Sequence, residues 1–543
     1  MKKMYKKYLL LPMLLILVLF IGMVSGFQKC EIAEAAETDT GKTTQKDEVT
    51  PTMKEKARTV ITTDGEVDDM NSVIRFMLYS NEVDLSGIVL TSSTYHYAGD
   101  AKAGIKPYRW TGTQWLQDFI NAYKKVYPNL SVQADGYPTP DYLKSITKVG
   151  NIKNVGEMDE VTEGSELLKK LFLDDDDRKL YVQTWGGTNT TARALKSIEE
   201  QYSNTKEWES IQKKINDKLA IYIILNQDDS YSKYIAQKWP NIKIINDTSN
   251  FWHFAYAWKF HTDKVNSLLQ GDWLYKNIKS GHGDLLSKYA LMGDGNYIKG
   301  ELDEEQRGTD AYLQKNPQYN RYDFISEGDS PSFLYLINNG LRSLENPTYG
   351  GWGGRFGVAS DNLWKNNVLD YDPYTGQYEA EYSLMRWFDD IQNDFAARAD
   401  WCVAKTYKEA NHAPTVTVKE GVDLKASPGE KITLHAKGSD PDGNNLAYKW
   451  WHYAEADTYE ESKVVKNAPV ENKTQGLLLS ITRKLAKDEV VDNITLNGSD
   501  TDTLTFTVPE DAASGDTIHI ISEVKDDGKF TLKHYQRVII TIK

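Results

Sequence analysis

The sequence predicts a mostly parallel α/β domain with flanking helices, followed by an all-β sandwich. Two observations predict it. From about Ala57 to Tyr407, short β-branched runs alternate with amphipathic helical segments, the pattern of a parallel sheet covered by helices. Beyond Asn411-His412-Ala413-Pro414 the apolar period shortens to two, and turn clusters recur through about 130 residues. That spacing suits a two-sheet sandwich of immunoglobulin-like size.

Taken in order, the chain begins with Lys2, Lys3, Lys6 and Lys7, an apolar run from Leu9 to Val24, and Ala33-Glu34-Ala35. This reads as a secretory signal peptide over residues 1–36, with an uncleaved anchor as the alternative. Export to the extracellular space follows, without membrane attachment after cleavage. Cleavage removes Cys30 and leaves Cys402 alone, so no internal disulfide forms. Residues 37–56, rich in Thr, Lys, Asp and Glu, read as a disordered leader. The first domain, 57–410, has strand candidates at Thr59 to Thr63, Leu85 to Thr91, Leu180 to Trp185, Leu219 to Asn226 and Ile242 to Ile245. Met70, Val73, Ile74, Met77 and Leu78 share one face of a helix starting near Met70, and a helical run from Tyr382 to Val403 closes the domain. The second domain, 411–543, has strands at Thr415 to Val418, Ile432 to Ala436, Leu446 to Tyr453, Leu504 to Val508, Ile518 to Val524 and Val538 to Ile542. Trp450 and Trp451 point to opposite faces of their strand. One belongs to the core; the other either binds carbohydrate or covers the first domain.

Charge narrows the partners. With 64 Lys and Arg against 78 Asp and Glu, the net charge is -14, so there is no excess of basic surface to displace counterions from nucleic acid. Acidic polysaccharides are poor partners for the same reason. The 14 Trp and 33 Tyr offer flat faces suited to sugar rings. A homo-oligomer is left open.

The chemistry concentrates in Thr63-Asp64-Gly65-Glu66-Val67-Asp68-Asp69, where a strand runs into a helix. Ligands of open α/β sheets bind at the carboxyl ends of strands, and carboxylates this close need a cation between them. Oxygen ligands alone suit calcium. The plainer alternative is a helix cap. An EF-hand is excluded by spacing, because the sixth position from Asp64 is Asp69 and the twelfth is Arg75. Two other junctions belong to the same edge: Gly186-Gly187-Thr188-Asn189, and Glu327-Gly328-Asp329-Ser330-Pro331, with Pro331 in a first helical turn. Asp228 follows a strand and reads either as part of the rim or as a cap. Trp352 and Arg355, within Gly351-Trp352-Gly353-Gly354-Arg355, suit either a sugar-binding rim or a tight connection that packs the Trp. His96, His253, His261 and His282 are the histidines expected near this edge.

The Asp64-x-x-x-Asp68-Asp69 spacing resembles the N-terminal motif of nucleoside hydrolases, and Gly186-Gly187-Thr188-Asn189 resembles their Gly-Pro-x-Thr-Asn turn. The mature chain resembles a bacterial family of cellulose-binding proteins in which a nucleoside-hydrolase-like domain precedes an immunoglobulin-like one. Trp185 to Asn189, Glu327 to Leu334, Gly351 to Arg355, Asn411 to Pro414 and Trp450 to Tyr453 carry that similarity. The resemblance implies that Asp64 contacts calcium and takes a proton from water, and that Asp69 and Asp329 are calcium ligands. It also implies that Asp68 binds a sugar hydroxyl and that a carbonyl at Thr188 or Asn189 completes the calcium shell. Two departures stand out. Asp64-Gly65-Glu66 replaces Asp-Pro-Gly, and Gly328 occupies the place where some of these enzymes have a His that protonates the leaving base.

The expectation is a secreted calcium-dependent glycoside hydrolase acting on a furanose-like or plant-polysaccharide-derived glycoside. Asp64 is catalytic; Asp68, Glu66, Asn189, Asp228, Glu327, Trp352 and Arg355 contact substrate; Asp64, Asp69, Asp329 and Thr188 hold Ca2+. The alternative is a non-catalytic binder of cellulose or another carbohydrate with a relict hydrolase site.

Overall fold

The computed structural model describes residues 56–459, 463–466 and 489–543; the expected signal peptide, and all of the leader but Lys56, lie outside them. Eight strands form the main sheet: β1 (Ala57–Thr63), β2 (Val83–Leu90), β3 (Thr147–Val149), β4 (Leu180–Thr184), β5 (Leu219–Ile224), β6 (Lys243–Asp247), β7 (Gly357–Ser360) and β8 (Leu363–Lys365). Their order is β3-β2-β1-β4-β5-β6-β8-β7, and every pairing is parallel except that of β7 with β8. The strand order reverses direction at β1, so the crevice between the carboxyl ends of β1 and β4 is the topological switch point where such sheets bind ligands.

Side chains alternate across the sheet as the pleat requires. Ile61, Tyr181 and Tyr222 enter one core, with the helix Val67–Tyr79. Val60, Val182, Ile221 and Ile223 enter the other, with Leu195, Ile198 and Trp239. Helices therefore cover both faces, which explains why these strands are continuous apolar runs rather than alternating ones.

Two expected helices differ from their sequence readings. The first begins at Val67, so Asp68 and Asp69 lie in its first turn rather than in a loop before it. The run from Tyr382 divides into Tyr382–Met385 and Phe388–Trp401. Among the described residues no helix is long and apolar enough to cross a membrane.

After a small hairpin of β9 (Asp370–Asp372) and β10 (Gln377–Glu379), the C-terminal region is β-rich. Its strands are β11 (Thr415–Val418), β12 (Asp423–Ala426), β13 (Lys431–Ser439), β14 (Ala447–His452), β15 (Lys463–Lys466), β16 (Glu489–Asp492), β17 (Thr503–Thr507), β18 (Thr517–Lys525) and β19 (Lys533–Ile542). Sheets β11-β13-β17 and β12-β19-β18-β14 are antiparallel apart from the β12–β19 pair. They share one core that includes Val416, Leu434, Phe506, Ile520, Ile540 and Trp450. Trp451 faces the other way and packs on Trp387 of the α/β region, 5.8 Å between ring centroids.

The seam between the two regions is polar as well as aromatic. Fully buried Asp370 accepts hydrogen bonds from Arg355 Nε (2.8 Å), Arg386 Nη1 (2.9 Å) and the Tyr453 hydroxyl (2.7 Å). The backbone of β19 also donates to the α/β region: Tyr535 N to Asn339 O (3.1 Å) and Arg537 N to Gly340 O (3.0 Å). Gly340, at φ +89°, lies so close to this strand that a Cβ would meet Tyr535 O at 1.8 Å, so only glycine permits the approach.

Candidate functional site

β1 ends at Thr63 and the next helix starts at Val67, leaving a three-residue turn to bring Asp64 to the sheet edge. Gly65 makes that turn at φ +81°; a Cβ there would meet Thr111 Oγ1 and Trp115 Nε1, each at 2.8 Å. The Asp64 and Glu66 amides donate to Asp69 Oδ1 (3.2 Å) and Asp64 Oδ1 (3.4 Å), and the Thr63 hydroxyl also donates to Asp69 Oδ1. The Asp69 amide donates to Asp68 Oδ1 at 3.2 Å.

Asp329 comes from the far end of the domain, immediately before the short helix Ser330–Leu334 with Pro331 in its first turn. One carboxylate oxygen each from Asp68, Asp69 and Asp329 lie within 4.8 Å of one another. All three residues are at most 2 % exposed, as is Asp64. Asp64 Oδ2 and both oxygens of Asp329 are buried without a hydrogen-bond partner.

Burial first, and then the neighbouring carboxylates, push the Asp68, Asp69 and Asp329 acids well above the usual carboxylate range. For Asp69 the strongest neighbouring charge is Asp64; for Asp329 it is Asp68. Such a group is stable either protonated or around a cation. The donors are all oxygen and include unpaired anionic ones, so the residues fit a hard divalent ion such as calcium.

The turn after β4 packs directly beneath. A Cβ on Gly186 would stand 2.9 Å from Asp64 Cβ, and one on Gly187 would stand 2.3 Å from Asp228 Oδ2. Thr188 and Asn189 start the next helix, and Asp228 ties them down. Its Oδ1 accepts from Thr188 Oγ1 (3.0 Å) and Ser230 Oγ (2.7 Å), and its Oδ2 accepts from the Asn189 amide (3.1 Å). The Thr188 carbonyl accepts the Ala192 amide at 2.8 Å. Asn189 accepts from Thr91 Oγ1 and donates to Ser92 Oγ, Asn151 O and Glu157 O. These residues support the edge through bonds made within the protein.

Glu66 sits beside the acids. It accepts from Arg109 Nη2 (2.9 Å) and the Tyr256 hydroxyl (3.2 Å), with His96 Nδ1 3.6 Å away. His96 is wholly buried and its Nε2 lies 2.7 Å from Glu301 Oε1. Burial lowers the His96 pKa, but the Glu301 hydrogen bond and the charges of Asp64, Glu66 and Glu301 outweigh it and raise it. Sequence reasoning did not find Arg109, Tyr256 or Glu301: they stand 43, 190 and 235 positions from Glu66, in segments without a local motif.

Three expectations are corrected. Glu327 is wholly buried and ion-paired with Arg75 Nε and Nη2, and it also accepts from the Tyr289 and Ser330 hydroxyls, so it cannot serve a substrate. Trp352 is a core residue at 5 % exposure. Arg355 is committed to Asp370 at the seam. The Thr188 side chain is held by Asp228 and its carbonyl accepts one helical amide, and Asp68 joins Asp69 and Asp329 in the oxygen cluster. Of the other histidines, His253 and His261 adjoin each other, with ring centroids 5.4 Å apart, and His282 lies 3.3 Å from Asp400.

The family model described as the nucleoside hydrolase-like domain of cellulose-binding Sde182 matches residues 58–356, and that of the C-terminal domain of cellulose-binding protein Sde0182 matches residues 431–542. The chain is similar to the solved structure of a nucleoside hydrolase-related hypothetical protein from Saccharophagus degradans that is associated with carbohydrate metabolism. That match has 26% identity and a TM-score of 0.64, and covers 90% of this chain and 100% of the other. The effector protein XOO4466 matches at 11% identity over 57% of this chain and 88% of its own, with a TM-score of 0.30. No curated protein matches the chain.

Proposed function

Because the chain belongs to the family of cellulose-binding Sde182 proteins with a nucleoside-hydrolase-like domain, we propose that it is an extracellular, calcium-dependent glycoside hydrolase acting on a furanose-like or plant-polysaccharide-derived glycoside. One observation carries this reading: Asp64 Oδ2 and both Asp329 oxygens are buried and unpaired at the switch point, beside Asp68 and Asp69. Burying carboxylates this way is costly for a fold unless a cation compensates them.

Asp68, Asp69 and Asp329, with Asp64, would hold the ion. Calcium, when bound, supplies the charge that neutralises these acids and polarises a water. Asp64, with one oxygen free of protein partners, is the base that takes the proton from the attacking water. Asp68 reaches a sugar hydroxyl, and the surrounding negative charge favours an oxocarbenium-like transition state.

A non-catalytic carbohydrate-binding role is the second reading, and a specific observation favours it. At Gly328 a Cβ would meet the Phe251 ring at 2.2 Å, so no proton-donating side chain fits where some nucleoside hydrolases carry one.

The deciding experiment assays the purified mature chain on aryl furanosides, nucleosides and plant polysaccharide fragments, with calcium or with chelator. Calcium-dependent turnover that Asp64→Asn abolishes supports the hydrolase. Retention on cellulose or xylan without turnover, equal in Asp64→Asn, supports the binder.

A further inference from the structure

After β2 the chain leaves the sheet and doubles back, with bridges between Tyr97 and Tyr108 and between Asp100 and Ile105. This excursion is fastened to the acidic turn. Thr111 Oγ1 donates to Gly65 O (2.9 Å), and Arg109 donates to Glu66 (2.9 Å) and Glu301 (2.8 Å), while His96 lies 2.7 Å from Glu301. Arg109 itself has φ 46°, a left-handed backbone that costs free energy in a residue with a side chain and persists only where the surroundings impose it. The base is therefore stiff.

On that base stand exposed aromatic rings. Tyr95 and Tyr108 are 43% and 41% exposed. The Tyr108 ring lies 5.8 Å from that of Tyr97. Tyr95 directly precedes His96, whose Nδ1 lies 3.6 Å from Glu66 Oε2, and in keeping with that place burial and then the charge of Glu66 raise the Tyr95 pKa. A second segment meets the same carboxylate: Tyr256 donates to Glu66, and Trp252, 40% exposed, lies 6.4 Å from Tyr256.

We propose that Tyr95 and Tyr108, together with Trp252, form a rigid stacking platform that receives the uncharged sugar rings of a glycan chain beside the carboxylate cluster. Flat rings with polar rims suit sugar faces. With a net charge of -14 and no excess of basic surface to pair with uronate or sulfate groups, the chain favours a neutral ligand. Rings already held in place lose little freedom on binding, which favours affinity. The ligand class rests on the carbohydrate reading above, but the platform requires neither calcium nor turnover.

The test is affinity electrophoresis of the full chain through gels containing hydroxyethylcellulose or xylan, with chelator present throughout. Tyr95→Ala and Tyr108→Ala should each weaken retention about tenfold, roughly the loss of one stacked ring, while Tyr95→Trp and Tyr108→Trp retain it. Tyr374→Ala, at another exposed ring, should leave retention unchanged. If an alanine variant unfolds, leucine at the same position keeps part of the apolar bulk without the flat face and must weaken retention alike. Unchanged retention in the Tyr95 and Tyr108 variants, equal loss in Tyr374→Ala, or no retention of the parent chain overturns the platform. If no glycoside is turned over yet retention still depends on Tyr95 and Tyr108, the hydrolase reading fails and the platform stands.

Discussion

Gly186 lies against Asp64 so closely that a Cβ on it would stand 2.9 Å from the Asp64 Cβ and 3.2 Å from its carboxyl carbon. The contact joins the ends of β1 and β4 across the switch point, so the absence of a side chain at 186 sets where Asp64 stands. Gly186→Ala must displace Asp64 or the turn. The expected cost is about 1–3 kcal/mol in stability, with calcium affinity falling more than that of a variant remote from the site. Calorimetric titration and chemical denaturation of the same samples check both.

Asp329 gives a pH prediction. Its folded pKa is raised, by burial and then by Asp68, Asp64 and Glu66, so in the calcium-free protein it destabilises the fold progressively as pH rises above the ordinary value of 3.8. Asp329→Asn should therefore melt higher than the parent in chelator at neutral pH, and the gain should disappear on acidification toward 3.8. With calcium at roughly a hundredfold excess over Kd, the parent should gain about 3 kcal/mol and the variant much less. Melting curves across pH, with and without calcium, decide it.

The Arg75–Glu327 pair is wholly buried, and Arg75 also stacks over Phe395 at 3.8 Å. Arg75→Met leaves a buried carboxylate without its cation and should cost about 3–5 kcal/mol. Adding Glu327→Gln should recover part of that loss. Additive losses in a double-mutant cycle by urea denaturation would show that the pair is not coupled.

His452 lies between Asp457 (2.6 Å) and Asp492 (2.9 Å). Burial works to lower its pKa, but the hydrogen bonds to Asp457 and Asp492, with their charges, raise it to about 9. The stabilisation is complete below 6.5 and is lost as pH rises through about 9. His452→Gln should melt well below the parent under mildly acidic conditions, and the gap should narrow above about pH 9.

Much of the architecture was legible in the sequence because the central strands are buried on both faces. Val60 and Ile61, or Ile221, Tyr222 and Ile223, are apolar whichever core they face, and such runs stand out without any partner information. The marginal strands β3, β7 and β8 did not stand out: Thr147–Val149 and Gly357–Ser360 are short and partly exposed. The acids of the first turn were visible because one short stretch carries them, and Asp329 because a Pro marks the helix that follows it. The mistaken rim at Trp352 and Arg355 has a different origin. Glycines around a Trp and an Arg look the same whether they open a loop to solvent or let two regions close upon each other, and only Asp370, fifteen residues beyond Arg355, decides between these.

That choice matters for anyone who divides the molecule. Asp370 pairs with Arg355 and Arg386 at once, while Tyr453, from beyond β14, supplies a further hydrogen bond and Trp451 covers Trp387. A chain cut near Ala410 would keep both guanidinium groups but expose the indole of Trp387 and leave Asp370 one donor short. The catalytic-looking half is thus one side of a mortised joint, and a fragment carrying it alone is expected to be sticky and less stable than its size suggests.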